Sequence, residues 1–275
     1  MKTNTHPLNL IIGHQHPKCY ARADHNCSLK ISKEHFISEI LLKQIQLNNI
    51  AKIAGLKWQQ KESFNLVPVS GLASSILCER HNNALSPLDA CMGLFSEAIR
   101  AYDAALRANT ATQASEQRSF SGDDIERWMV KCILGLTTSK NLNITNVKPE
   151  CINLLFGNIS WPEGWGLYFP LSADAPIYHS DSFLIETQVD PARQLILAAR
   201  FTIRGLPMVL CFGKPEIPES MGLFHPESII FKSGACEKVL VLSWASGVKN
   251  SAILLERAGT YDGPPPNWPE WERNG

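Results

Sequence analysis

Four residues of the kinds that hold transition metals stand in two widely separated pairs in this chain, Cys19 with Cys27 and Cys78 with His81. If one ion gathers all four, residues 28 to 77 must leave the site and return to it. That requirement constrains the first third of the fold more than any apolar pattern does. The second pair is C-x-x-H, a spacing that lets one turn or helix start present thiolate and imidazole to a common tetrahedral ion. The first pair, in CYARADHNC, encloses seven residues, where zinc knuckles use about two to four. A longer hairpin can still bring both sulfurs together, and His25 can stand in for either cysteine.

The rest of the sequence bears on what the cysteines do. No apolar run approaches the roughly 18 to 20 residues that cross a bilayer. The segment MKTNTHPLNLIIGHQHPKC has neither the apolar core nor the small-residue cleavage site of a secretory signal. A cytoplasmic location with no membrane partner is therefore expected, where cysteines serve as ligands or core residues rather than disulfides. Six of the eight histidines lie in the first third, with Cys19, Cys27, Cys78 and Cys91. Cys132, Cys151, Cys211 and Cys236 have no close pairing and read as small apolar core residues. His14 and His16, in GHQHPKC, read as exposed loop residues or as further ligands.

A chain of 275 residues with 44% apolar and 19% charged residues is globular and long enough for two domains. Its formal net charge of zero excludes a uniformly basic nucleic-acid binder. The charge is unevenly spread. Residues 1 to 113 carry 12 Lys+Arg against 8 Asp+Glu, and the remainder carries 14 against 18, so the first half is the one suited to face phosphates.

Apolar residues Ile37, Ile40, Leu41, Ile45, Ile50 and Ile53 predict helical pieces, interrupted at Asn48-Asn49 and stopped near Gly55. FNLVPVSG reads as a strand that Pro68 limits to an edge, and SSILC as a short strand leading into CERHNNALSPLDA. There Ser86 predicts a helix cap, Pro87 the first helical position and Asp89, three after the serine, the acidic partner of a capping box. Leu88, Met92, Phe95, Ile99, Tyr102 and Leu106 continue a helical stripe. Residues 108 to 122, ANTATQASEQRSFSG, read as a linker, and a helix is expected around DDIERWMVKCILGL. Beyond about residue 150 come short apolar strands: WGLYFPL, SFLIETQVD, QLILAARFTI, LPMVLCFG, SIIFKSG, KVLVLSWAS and SAILLERAG. YDGPPPNWPEWERNG reads as a tail. Trp161, Trp165, Trp244, Trp268 and Trp271 read as core or interface residues before they read as a base-stacking platform. No phosphate-binding glycine loop and no G-x-S-x-G elbow occurs.

Two further residues give the pairs a context. Asn82 directly follows His81, and Glu34-His35 lies between the pairs. The order cysteine pair, acidic-His, then C-x-x-[CH]-[NH] resembles the HNH endonucleases of the ββα-metal superfamily that carry a structural zinc. The resemblance covers residues 19 to about 95. Two features depart from the family: the wide first pair, and the long helical insertion between His35 and Cys78.

The resemblance implies an α+β protein with a zinc-bound ββα-metal module and long helix in residues 1–110. A mainly antiparallel β domain with packed helices, recognising a target, partner or signal, would fill 111–275. It implies hydrolysis of nucleic-acid phosphodiesters, with double-stranded DNA the expected substrate, in restriction or phage defence. Cys19, Cys27, Cys78 and His81 would hold the structural Zn²⁺. His35 would be the general base, with Asn65 the best counterpart of the family's middle asparagine and Asn48 or Asn49 the alternatives. Glu34 and Asn82 would hold a catalytic Mg²⁺ or Mn²⁺.

Those residue types suit the chemistry. Imidazole can deprotonate water near neutral pH, and carboxylate and amide oxygens are the donors a hard cation takes. Arg80, Lys33 and Lys30 would meet phosphates. The near-zero net charge leaves room for an activating protein partner or a homo-oligomer. The rival expectation is a non-catalytic zinc-binding module that presents a surface to protein or nucleic acid.

Overall fold

The computed structural model describes residues 13–60, 63–107, 116–142, 146–170, 175–179, 181–233, 236–246 and 249–260. The expected tail, with Trp268 and Trp271, lies outside the described residues.

Along the chain, β1 (Ile31–His35) leads to α1 (Glu39–Ile45) and to the short strands β2 (Gln46–Leu47), β3 (Ile50–Ala54) and β4 (Asn65–Pro68). Then β5 (Ala73–Cys78) runs directly into α2 (Glu79–Arg107). Next, β6 (Glu116–Ser121) enters α3 (Gly122–Thr138), and α4 (Glu150–Phe156) follows. The remaining strands are β7 (Gly166–Phe169), β8 (Ala175–His179), β9 (Phe183–Asp190), β10 (Leu195–Ile203) and β11 (Leu206–Cys211), then β12 (Leu223–Phe224), β13 (Pro226–Ser233), β14 (Cys236–Ser243) and β15 (Lys249–Thr260). The fold is α+β, with mixed sheets.

Among the described residues the strands form three sheets. β1 and β5 form an antiparallel ribbon in which Ile31 faces Cys78 and His35 faces Ala73, with a register shift between Ser32 and Glu34. An eight-stranded sheet runs β12-β7-β11-β10-β9-β3-β2, with β4 also paired to β3. A five-stranded sheet runs β6-β14-β13-β15-β8. The insertion between β1 and β5 thus does not stay with the ribbon. Its strand β3 pairs in parallel with β9 from the second half of the chain. One continuous apolar core runs from Cys19 to Leu255.

Three expectations from local sequence are corrected. The helical pieces expected as far as Ile53 end at Ile45, and Ile50 and Ile53 stand on β3. The long helix starts at Glu79, not at Ser86, and Pro87 lies inside it. A proline there leaves the Asn83 carbonyl without a helical partner, but both residues are exposed and water can serve it. What carries the helix past the proline is its stripe. His81, Leu85, Leu88, Met92, Phe95, Ile99, Tyr102 and Leu106 are all buried, at alternating spacings of four and three. The third correction concerns the stretch read as linker. Its residues 116–121 are β6, paired in parallel with β14 from Glu116 opposite Lys238 to Ser121 opposite Ser243.

Helix α3 touches all three sheets. It is capped by Ser121, whose hydroxyl accepts from the Asp124 N–H at 3.1 Å. Trp128, fully buried, meets Phe183 of β9 and Phe201 of β10 edge-on. Gly122 and Gly135 allow close approach at its two ends. A Cβ on Gly122 would stand 2.5 Å from the Trp244 ring at the end of β14, and one on Gly135 would stand 2.5 Å from Phe36 Cβ, just beyond β1. The helix therefore positions the ribbon end on which His35 stands.

Candidate metal centre and the ribbon end beside it

The two ligand pairs meet where β5 passes into α2. Cys78 is the last residue of the strand, and His81 lies in the first turn of the helix. The wide first pair reaches them through a compact loop. Its centre is a 3₁₀ turn over Arg22–Asp24, closed by His25 in a left-handed conformation with φ of 53°. Backbone bonds pin both arms: Cys27 N–H to the His14 carbonyl at 3.0 Å, Cys19 N–H to His16 at 2.9 Å, and Tyr20 N–H to Ile76 of β5 at 3.0 Å. The seven residues between the cysteines are used for this turn, which is why so wide a spacing still converges.

Convergence is close. The ligand atoms of Cys19, Cys27, Cys78 and His81 all lie within 4.8 Å of one another, and all four residues are buried. His81 Nδ1 stands 3.2 Å from Cys78 Sγ, 3.3 Å from Cys19 Sγ and 3.8 Å from Cys27 Sγ. Three sulfurs and one imidazole nitrogen form a donor set that could hold a metal such as zinc. Burial pushes the Cys19 thiol up to about 12 and raises Cys27 as well. At Cys78 burial acts in the same direction, but hydrogen bonds from His81, Ser28 and Cys27 outweigh it and hold that thiol below its usual range. Gathering three buried thiolates would call for a positive charge at their centre, which a divalent ion could supply. Asp24 Oδ2 lies 3.7 Å from His81 Nε2, on the ring edge away from the sulfurs. A carboxylate there favours the Nε2–H tautomer, which frees Nδ1 as a ligand. Neither His25, exposed and bonded to Gln15, nor His14 and His16 belong to the cluster.

The other predicted residues are dispersed around this centre. His35 ends β1, half-buried, with Nδ1 3.9 Å from Glu39 Oε2. Burial lowers its pKa, against the pull of Glu39. Asn82 is half-buried in the first turn of α2, next to His81. Arg80 braces the cysteine loop, donating to the Asn26 carbonyl at 2.9 Å, while its backbone N–H meets Ser28 Oγ at 3.2 Å. Lys33 is exposed, and Lys30 is exposed with Nζ 4.0 Å from Glu79. Asn65 stands on β4, paired through Ile53 to the eight-stranded sheet rather than to the ribbon, and its amide meets Ser63 Oγ at 3.4 Å. Asn48 and Asn49, both exposed, form the turn between β2 and β3.

Glu34 is not an open ligand. It is 3% exposed, and its Oε1 lies 2.5 Å from Nζ of Lys131, a residue of α3 that is itself 1% exposed. The same ammonium donates to both carboxylate oxygens of Asp89 at 2.7 Å and to the His35 carbonyl at 3.4 Å. Asp89 therefore serves Lys131 and not a helix cap. Burial acts to lower the lysine's pKa, but the two carboxylates outweigh it and hold the ammonium above its ordinary value. Sequence reasoning missed Lys131, although it interrupts the apolar run WMV-CIL of α3 and so stood out as a buried charge in need of partners.

No family model matches this sequence, and no curated protein or solved structure matches it either.

Proposed function

We propose that this chain is a zinc-built nucleic-acid hydrolase of the HNH type, with His35 as its general base and DNA as its expected substrate. The observation that carries the reading is the junction of β1, β5 and α2. A two-stranded ribbon ends on His35, and its second strand enters a helix whose first turn holds His81 and Asn82. The Cys19, Cys27, Cys78 and His81 donor set suits a four-coordinate Zn²⁺ whose task is rigidity, since no ligand position is left for substrate.

His35 has the properties of a base. Burial favours its neutral form, and Glu39 near Nδ1 favours the proton on that nitrogen, leaving Nε2 to accept one. In the proposed step Nε2 takes a proton from water, the water oxygen bonds to phosphorus, and the bond to the 3′ oxygen breaks, that oxygen leaving with the electron pair and taking a proton from solvent. The second ion expected at Glu34 and Asn82 would neutralise phosphate charge. Glu34 does not fit it, because the carboxylate is buried against Lys131, and no step is assigned to that ion.

The test is cleavage of plasmid DNA, and of RNA, with Mg²⁺ or Mn²⁺ supplied. Wild type is expected to nick the substrate, and His35→Ala to lose at least a hundredfold in rate while keeping its zinc content. Equal cleavage by the variant, or none by wild type on either nucleic acid, overturns the reading. The commitment of Glu34 to Lys131 favours a second reading, a non-catalytic zinc-binding module. In that case His35→Ala leaves zinc content and partner binding unchanged and removes no activity.

A further inference from the structure

We infer that Lys131 is the resident cation of the Glu34–Asp89 carboxylate pair, and that its ammonium closes these carboxylates to divalent metal ions. Three carboxylate oxygens lie at 2.5 to 2.7 Å from Nζ, and the His35 carbonyl completes the surroundings at 3.4 Å. These are the hard oxygen donors that Mg²⁺ or Mn²⁺ would take, and one side chain already occupies them. Lys131 is itself 1% exposed, while Asp89 is partly exposed. The helix neighbours of Lys131, namely Trp128, Met129, Val130, Cys132 and Ile133, are fully buried, so displacing the ammonium would strand a charge in apolar surroundings. Adding a divalent ion beside it would place like charges within a few ångströms in a medium that screens them poorly.

Two carboxylates face one ammonium, so the cluster is suited to a cation and already contains one. Lys131 belongs to α3, whereas Glu34 and Asp89 come from β1 and α2. The closure is therefore a product of tertiary packing across three elements. It deepens the proposed function at one point only: any ion needed for cleavage binds somewhere other than Glu34.

Mn²⁺ alone is the probe, with bound metal read from the loss of the free-ion electron paramagnetic resonance signal on the full-length, zinc-loaded protein. Lys131→Ala is expected to gain one Mn²⁺ site at least tenfold tighter than any in wild type, and Lys131→Ala combined with Glu34→Gln to lose it. If Lys131→Ala folds and gains no site, the inference fails. Should that variant not fold, wild type and Glu34→Gln decide the matter. Equal Mn²⁺ binding by the two supports closure, and weaker binding by Glu34→Gln overturns it. None of these readings uses cleavage, so they stand or fall separately from the nuclease assignment.

Discussion

The Cys19, Cys27, Cys78 and His81 corner and the Glu126–His225 contact both tie together elements far apart in the chain, yet they do so by opposite means. In the corner, three sulfurs and an imidazole nitrogen face one another, a donor set that a cation could gather. At the other contact the groups are complementary as they stand. Glu126 of α3, fully buried, accepts from the Leu167 N–H of β7 at 2.6 Å, and the same oxygen lies 2.5 Å from His225 Nε2. The His225 ring is stacked between Phe224 and Trp244, with centroids 3.8 and 4.0 Å away, and its Nδ1 meets Ser246 Oγ at 3.0 Å. The first cross-link would be completed by an ion, if the four donors hold one. The second is present whenever the chain folds, and it joins the two larger sheets without outside help.

Removing the ion should separate the two most sharply. Chelation is expected to loosen residues 13–35 and 73–82 while the strands β9 to β11 keep their hydrogen-exchange protection. The stability change should exceed that of any substitution discussed below, since structural zinc in small domains contributes apparent free energies of about 10–16 kcal/mol. An unchanged thermal midpoint and unchanged protection after verified metal loss would remove the ion from the account of this fold.

A smaller effect is expected at the self-contained contact. Glu126→Ala leaves the Leu167 N–H and the histidine without their buried acceptor and should cost about 3–5 kcal/mol in urea unfolding. Glu126→Gln keeps an oxygen for both and should cost about 1–3 kcal/mol. Neither variant should change zinc content, because α3 reaches the corner only indirectly. A loss of zinc in Glu126→Gln would show that the two cross-links are one cooperative unit.

The same contrast explains what could be read from the sequence. The strands of the second half announced themselves, because Phe183-Leu184-Ile185 and Leu206 to Cys211 are short apolar runs, and the fold buries them residue by residue. All seven predicted segments there contain strands, namely β7, β9, β10, β11, β13, β14 and β15. The Cys19, Cys27, Cys78 and His81 cluster was legible by residue type, and the structure brings the four together as a set that could hold a metal. The helix start was misread because Ser86, Pro87 and Asp89 make a sound local cap. The long-range stripe from His81 to Leu106 outweighs it. β6 was missed because EQRSFS gains its strand from parallel pairing with β14, over a hundred residues away. Lys131 was missed for the same reason. Its partners Glu34 and Asp89 are distant in sequence, and only tertiary packing brings them within 2.7 Å.

The least effect is expected at Asp24, which belongs to the corner without being a ligand. Its carboxylate stands 3.7 Å from His81 Nε2, at the end of the 3₁₀ turn that fills the gap between the two cysteines. With Nδ1 turned to the sulfurs, the imidazole must carry its proton on Nε2 to bind an ion, and the carboxylate biases it that way. Asp24→Ala should weaken zinc binding by about 10- to 100-fold in competition with a chromophoric chelator. Asp24→Asn retains an acceptor oxygen and should lose less. With zinc in excess, both variants should unfold within about 1 kcal/mol of wild type, because the donor set itself is intact. If Asp24→Ala holds zinc as tightly as wild type, the histidine is oriented by packing against Phe156, 5.2 Å away, and the carboxylate has no part in the corner's dependence on its ion.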